Sequence, residues 1–313
     1  MKTSRLRISH SCRLLFGMLA VLLLTLPANA IWKPLAPMPS ARSNAAVETI
    51  NGIVYIAGGY NGGGTSSLLS FNPTTNTWGT MASMPLTLYQ GDGAGVINSQ
   101  LYVAGGWNGY LPTSTLLMYD PPSNSWTSLA SMSHLTACGG TGVIKSKLYV
   151  TTACNGYNGY ANYLDVYDPV TNAWTSLPGS ASAHSAPAIG AINDKLYVAG
   201  GLDGNGALTN VVEVYDPATS SWTTLAHMPV ALVNAGSVAL SGELYVFGGN
   251  NGTVDVATVY AYDPHKNKWR TLAAMPTAAS SFSSVISYGL VFLEGGDNGS
   301  AVNQYSAFGA VIP

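Results

Sequence analysis

Beyond residue 30 the apolar positions of this chain fall in short runs, separated by clusters of Gly, Asn, Asp, Ser and Pro. Within a run, apolar residues alternate with small or polar ones, the two-residue period of a half-buried strand. The clearest run, Leu244-Tyr245-Val246-Phe247, passes into Gly248-Gly249 and then Asn251-Gly252. A small-residue strand such as Ala45 to Ile50 precedes each such run, joined to it by a tight turn like Asn51-Gly52. That dipeptide suits a two-residue hairpin, because both central positions need positive φ. A third strand ends in Tyr-Asp-Pro, as at Tyr215-Asp216-Pro217, and a fourth starts at Trp and ends at Met-Pro, as from Trp222 to Pro229.

This phrase recurs. The first residue of each glycine pair, or its equivalent, stands at 58, 105, 152, 200, 248 and 295, a period of 47 or 48 residues. The third copy, Thr152-Ala153, keeps the strand and loses the glycines. Trp78, Trp126, Trp174, Trp222 and Trp269 keep the same beat, and a sixth, Trp32, precedes the first glycine pair. A fixed period of this length with four strands per unit predicts a propeller. The tryptophans and the Tyr of each second strand are expected in the packing between units.

Double glycine, then Tyr-Asp, then Trp, then Met-Pro, in that order, resembles the kelch repeat. The resemblance covers residues 31–313. It implies an all-β fold, a six-bladed kelch-type β-propeller with four antiparallel strands per blade. The blades are expected at about 40–86, 87–133, 134–181, 182–229, 230–276 and 277–313 plus 31–39. The last unit has no tryptophan strand, and the Trp32 segment has no unit. The expectation is therefore that the N-terminal strand closes the sixth blade, since an open array would leave an unpaired edge.

Residues 1–30 read differently. Lys2, Arg5, Arg7 and Arg13 precede an apolar run, Leu14 to Leu26, and then Ala28-Asn29-Ala30, the layout of a cleaved signal peptide. The run is shorter than the ~20 residues of a spanning helix. Export to a periplasmic or extracellular space is expected, with no membrane span afterwards. Four of the 12 Lys and Arg, and none of the 14 Asp and Glu, lie in that segment, so eight cations face fourteen anions in the remainder. A weakly acidic chain without basic clusters argues against nucleic acid as a partner. The expected state is a monomer.

Six copies in one chain control for each other: positions alike in all serve the architecture, and positions that differ are free to serve a site. Two residues after each pair stand Asn61, Asn108, Asn155, Asp203, Asn251 and Asn298, each followed by Gly. This is read as a repeated turn. The preceding residue varies: Tyr60, Trp107, Cys154, Leu202, Asn250 and Asp297. So does the start of the first strand: Arg42, Tyr89, Thr136, His184, Leu232 and Ala279. In kelch-like propellers these loops open on one face. Kelch repeats usually carry arginine at the Arg42 position. One copy keeps it here, which argues against a multi-arginine pocket for an acidic peptide. Arg42, Tyr60, Tyr89, Asp92, Trp107, Tyr110 and His184 are the candidate ligand-binding residues, a set of aromatic and single charged groups suited to a protein or glycan ligand.

No catalytic residue, cofactor or metal is expected. His134, His184, His227 and His265 are not at metal-ligand spacing, and no Gly-x-Ser-x-Gly appears. The copper radical oxidases on kelch-type propellers need a Tyr-Cys crosslink and two histidines that cannot be placed here. Sialic acid mutarotases are exported kelch-like enzymes, so a small-sugar enzyme using His184 with Arg42 or Asp92 stays open beside a binding module and a structural part of an envelope assembly. Cys138 and Cys154 flank one hairpin, and a disulfide between them is expected if the strand end kinks.

Overall fold

The computed structural model describes residues 31–89, 93–154, 159–297 and 305–309. The predicted signal segment, 1–30, lies outside them, as does Asp92. The described strands form six four-stranded antiparallel sheets. In the first, Ala46–Ile50, Ile53–Ala57, Leu68–Asn72 and Thr77–Met81 follow one another from the centre outward. The inner strands of successive sheets pack side by side around a common axis.

The expectation of a six-bladed propeller with its sixth blade closed by the N-terminal strand is corrected to five self-contained blades and one composite sheet. Five blades are each built from one stretch of chain, with four strands in sequence order. The sixth sheet is composite: Ser280–Ser287, Leu290–Asp297 and Tyr305–Gly309, with Ile31–Pro34 paired antiparallel at its outer edge, Trp32 opposite Phe308. Its inner hairpin is also longer, eight residues a strand instead of five. Ring closure happens at the centre, where Ser280–Ser287 packs between the inner strands Gly236–Leu240 and Ala46–Ile50. The physical reason is that the inner strands carry the inter-blade contacts, whereas an outermost strand pairs with one neighbour only.

The seams follow a rule. In blades 1 to 4 the tyrosine of the second strand meets the third-strand tyrosine of the next blade: Tyr55 with Tyr119 at 5.8 Å, Tyr102 with Tyr167 at 6.1 Å, Tyr149 with Tyr215 at 6.3 Å, Tyr197 with Tyr262 at 6.2 Å. Each outer tryptophan packs on that same third-strand ring, Trp126 on Tyr119 at 5.1 Å. Its indole N–H donates to a carbonyl one blade back, Trp126 to Ala82 at 2.8 Å and Trp78 to Ala36 at 2.9 Å. Asn124 closes the corner, its Oδ1 accepting from Tyr119 Oη and from the Ala82 N–H. Asn124 does so in the left-handed region, at φ 48°. Aromatic pairs add about 1 kcal/mol to the apolar area they bury, so recurrence at successive seams carries much of the assembly.

The glycine pairs are required. Gly58 and Gly59 have φ of 70° and 101°, and a Cβ on Gly58 would lie 2.2 Å from the Leu88 carbonyl oxygen. Blade 3 lacks the pair, and its hairpin runs on instead, as Lys147–Cys154 against Tyr160–Asp168 with a register shift between Thr152 and Cys154.

Candidate functional site

One face of the disc gathers the variable loops. Each blade's entry segment pairs with its own glycine loop: Ser43 with Tyr60, Tyr89 with Trp107, Ala137 with Cys154, Ser185 with Leu202, Val233 with Asn250. The Asx turns behind these loops are as read from sequence. Asn108 Oδ1 accepts from the N–H of Tyr110 and Leu111, and Asp203 and Asn251 repeat the bond. Asn155 and Asn298 lie outside the described residues.

The candidate residues separate into two groups. Tyr60, Tyr89, Trp107 and Tyr110 form a row over blades 1 and 2. The Tyr60 and Tyr89 rings are 5.1 Å apart. Tyr89 and Trp107 exchange both backbone hydrogen bonds, at 3.1 and 2.8 Å. Tyr110 is 88% exposed. Arg42 and His184 are instead buried, in blades 1 and 4. Each bonds the first glycine carbonyl of its own blade: Arg42 Nη1 to Gly58 O at 2.8 Å, His184 Nδ1 to Gly200 O at 2.8 Å. Arg42 and His184 thus fasten separate glycine loops, two blades of the ring lying between theirs.

Each of these buried side chains faces a carboxylate that sequence reading passed over. His184 Nε2 lies 3.0 Å from Glu213 Oε2, so the imidazole sits between two acceptors. Burial pushes the Glu213 carboxyl up, but hydrogen bonds from His184 and from the Ser182 and Ala181 N–H groups outweigh it and hold it below the usual range. Arg42 faces Glu294. Burial pulls the guanidinium down, and Glu294 pushes it back up. Burial pushes the Glu294 carboxyl up to about 8, against the pull of Arg42 and Ser283. Glu294 Oε2 and Arg42 Nε have no partner among the described residues. Comparison of repeats would have found Glu294, since the residue before the other glycine pairs is Ala57, Ala104, Ala199 or Phe247.

The disc's centre holds a cavity of about 560 Å³, walled by the small residues of the inner strands. Four described residues at its rim, Asn44, Ala186, Asn234 and Ser281, adopt left-handed φ of 52–56°. They link blade to blade, with Asn44 N–H to Ser281 O at 2.9 Å, Ser281 N–H to Asn234 O at 2.9 Å and Asn234 N–H to Ala186 O at 3.1 Å. Glu48 is the ionisable group among the described wall residues. Burial pushes its carboxyl up to about 7, against one backbone bond from Thr49. The equivalent positions are Gly95, Gly142 and Gly190 in the next three blades, so Glu48 was also visible in the repeats.

The expected disulfide is not formed: Cys138 and Cys154 are both thiols. Cys138 does kink, at φ 61°, as the pairing required. Its sulfur serves as a hydrogen-bond partner to Cys154, which with Ser185 Oγ at 3.2 Å lowers the Cys154 thiol despite burial. Among the described residues no three His, Cys, Asp or Glu side chains converge as a metal site, and no helix is long and apolar enough to cross a membrane.

No curated protein matches the sequence. A solved structure, that of YjhT, superposes with a TM-score of 0.76 over 87% of this chain and 95% of that chain, at 18% identity. At that identity the likeness speaks for the fold alone. The Attractin/LZTR1 β-propeller model matches residues 54–304, and the chain belongs to that kelch-type family.

Proposed function

We propose that the protein is an exported binding module that recognises a protein or glycan through the loops over blades 1 and 2. The observation that carries this reading is the row Tyr60, Tyr89, Trp107 and Tyr110, aromatic rings presented on loops whose backbones are fastened in pairs. Aromatic faces stack on apolar ligand surfaces at low entropic cost, and a rigid scaffold lowers it further. Open space around Gly62, Gly63 and Gly109, where an added Cβ meets nothing within 4 Å, leaves room for a ligand to lie across the row. Export rests on the basic, apolar and small-residue order of residues 1–30. Arg42 and His184 act in this reading as fasteners of the glycine loops.

A glycan array and a panel of candidate protein ligands, probed with residues 31–313, test the proposal. Trp107→Ala and Tyr60→Ala are each expected to weaken a bound ligand roughly tenfold, the scale of one lost aromatic contact. Unchanged affinity in both variants removes the row from the site.

A further inference from the structure

The third strand of each contiguous blade carries, at one register, Leu69, Leu117, Asp165, Glu213 and Tyr260. Shared architecture at this position is met by an apolar side chain. A buried carboxylate there costs several kcal/mol unless it is fully paired. Asp165 has no exposed side-chain surface. Its Oδ1 accepts from Ser176 Oγ at 2.6 Å, and its Oδ2 lies 2.9 Å from His134 Nδ1. A carboxylate only accepts, so Nδ1 carries a proton, and the tautomer that Asp165 selects for the uncharged ring is the one with its lone pair on Nε2.

That nitrogen has no partner among the described residues, and the His134 side chain is 29% exposed. The imidazole lies flat on Tyr163, centroids 4.1 Å apart and planes within 10°. Tyr163 is 43% exposed, and Leu135 beside His134 is exposed as well. The hairpin that lost its glycines places Tyr163 there: it pairs with Thr152, which stands where other blades have the first glycine. The equivalent residues, Ser67, Thr115, Val211 and Thr258, offer no ring. The result is an oriented hydrogen-bond acceptor at the surface, with an exposed aromatic ring against it and an exposed leucine next to it in sequence.

We propose that His134, held by Asp165 and stacked on Tyr163, is a binding site for a carbohydrate hydroxyl, which donates to Nε2 while the sugar's apolar face rests on the Tyr163–Leu135 surface. This narrows the ligand of the same face to a glycan and rests on that face being a binding surface, though none of its residues belongs to the blade 1–2 row. His134 contacts the ligand, and Asp165 is a positioning residue.

The test uses the glycan array with His134→Ala, Asp165→Asn and Trp107→Ala beside the wild type. Melting temperature serves as a folding control, and ¹⁵N-histidine NMR reads the His134 tautomer. The expected result is that His134→Ala and Asp165→Asn each weaken a glycan bound by the wild type about tenfold, one hydrogen bond's worth. Asp165→Asn should also erase the Nδ1–H signature. If Asp165→Asn fails to fold, His134→Gln, which keeps a donor toward Asp165 and loses the ring acceptor, takes its place with the same expected loss. If Trp107→Ala loses binding and His134→Ala does not, this inference falls and the blade 1–2 reading stands. Loss in His134→Ala with Trp107→Ala unchanged has the opposite meaning. A wild type that binds no glycan, or a His134 ring carrying its proton on Nε2, overturns the inference.

Discussion

Blades 3 and 4 place a histidine against a third-strand carboxylate at the same register, and they use the pair in opposite ways. In blade 4, His184 is 3% exposed, and both its nitrogens are bound, to Glu213 and to the Gly200 carbonyl. That pair ties an entry segment to its blade and presents nothing outward. In blade 3, His134 comes from two positions earlier in the repeat, so its ring lies nearer the rim and one nitrogen is spared. Two residues of displacement turn a fastener into an accessible acceptor. The blade 6–blade 1 seam is a third case. Arg42 occupies the His184 position and bonds the equivalent glycine carbonyl, but its carboxylate, Glu294, lies on a second strand and keeps one oxygen without a partner among the described residues.

The strongest way to break the comparison is to remove the fastener. His184→Leu leaves Glu213 buried without its main partner and is expected to cost about 3 kcal/mol in chemical denaturation. A loss under about 1 kcal/mol would mean that the Ser182 and Ala181 N–H groups suffice to hold Glu213. Next in size is the pH dependence of the third seam. The folded Glu294 carboxyl lies at about 8 and the Glu48 carboxyl at about 7, both above the ordinary 4.5. The folded state therefore holds these protons more tightly than the unfolded chain. Their stabilising effect is full below about 4.5 and is lost as pH rises through about 7 and 8. Glu294→Gln is expected to remove on the order of 2 kcal/mol of that decline between pH 5 and 9. An unchanged slope would show that Arg42 already neutralises the site. The smallest effect sharpens the blade 3 side. Asp165→Leu, the residue of blades 1 and 2, should change stability by less than about 1 kcal/mol, because a packed apolar side chain replaces a buried carboxylate whose partners, His134 and Ser176, reach water and can bond it instead. A cost as large as that of His184→Leu would make Asp165 a fastener too.

Much of the architecture was legible because the repeats report on one another. The hairpin turns, the glycine loops, the Asn turns and the tryptophan seams all rest on bonds within a few residues or on a contact repeated at a fixed interval. Asn124 and Trp126, two residues apart, hold the same residue, Ala82, of the preceding blade. The site was legible only in part. Tyr60, Tyr89, Trp107 and Tyr110 were found because they vary where the backbone does not. Arg42 and His184 were found by the same rule, yet they face inward, since a residue's place in a repeat does not set the direction of a long side chain. His134 was read only as lying at no metal-ligand spacing, because its partner Asp165 lies 31 residues away. Glu48 and Glu294 stood out as departures from Gly and Ala but were not compared across the copies.

The sequence by itself determined the strand order, the period, the loops that vary and the chemistry available in them, because these depend on local φ/ψ preference and on residues spaced by one repeat. Only the tertiary structure decided which polar groups meet. It turned two predicted ligand contacts into buried fasteners, left two cysteines as hydrogen-bonded thiols and gave His134 its carboxylate. Such pairings depend on contacts between strands and linkers far apart in the chain, where a shift of one residue reverses the face a side chain occupies.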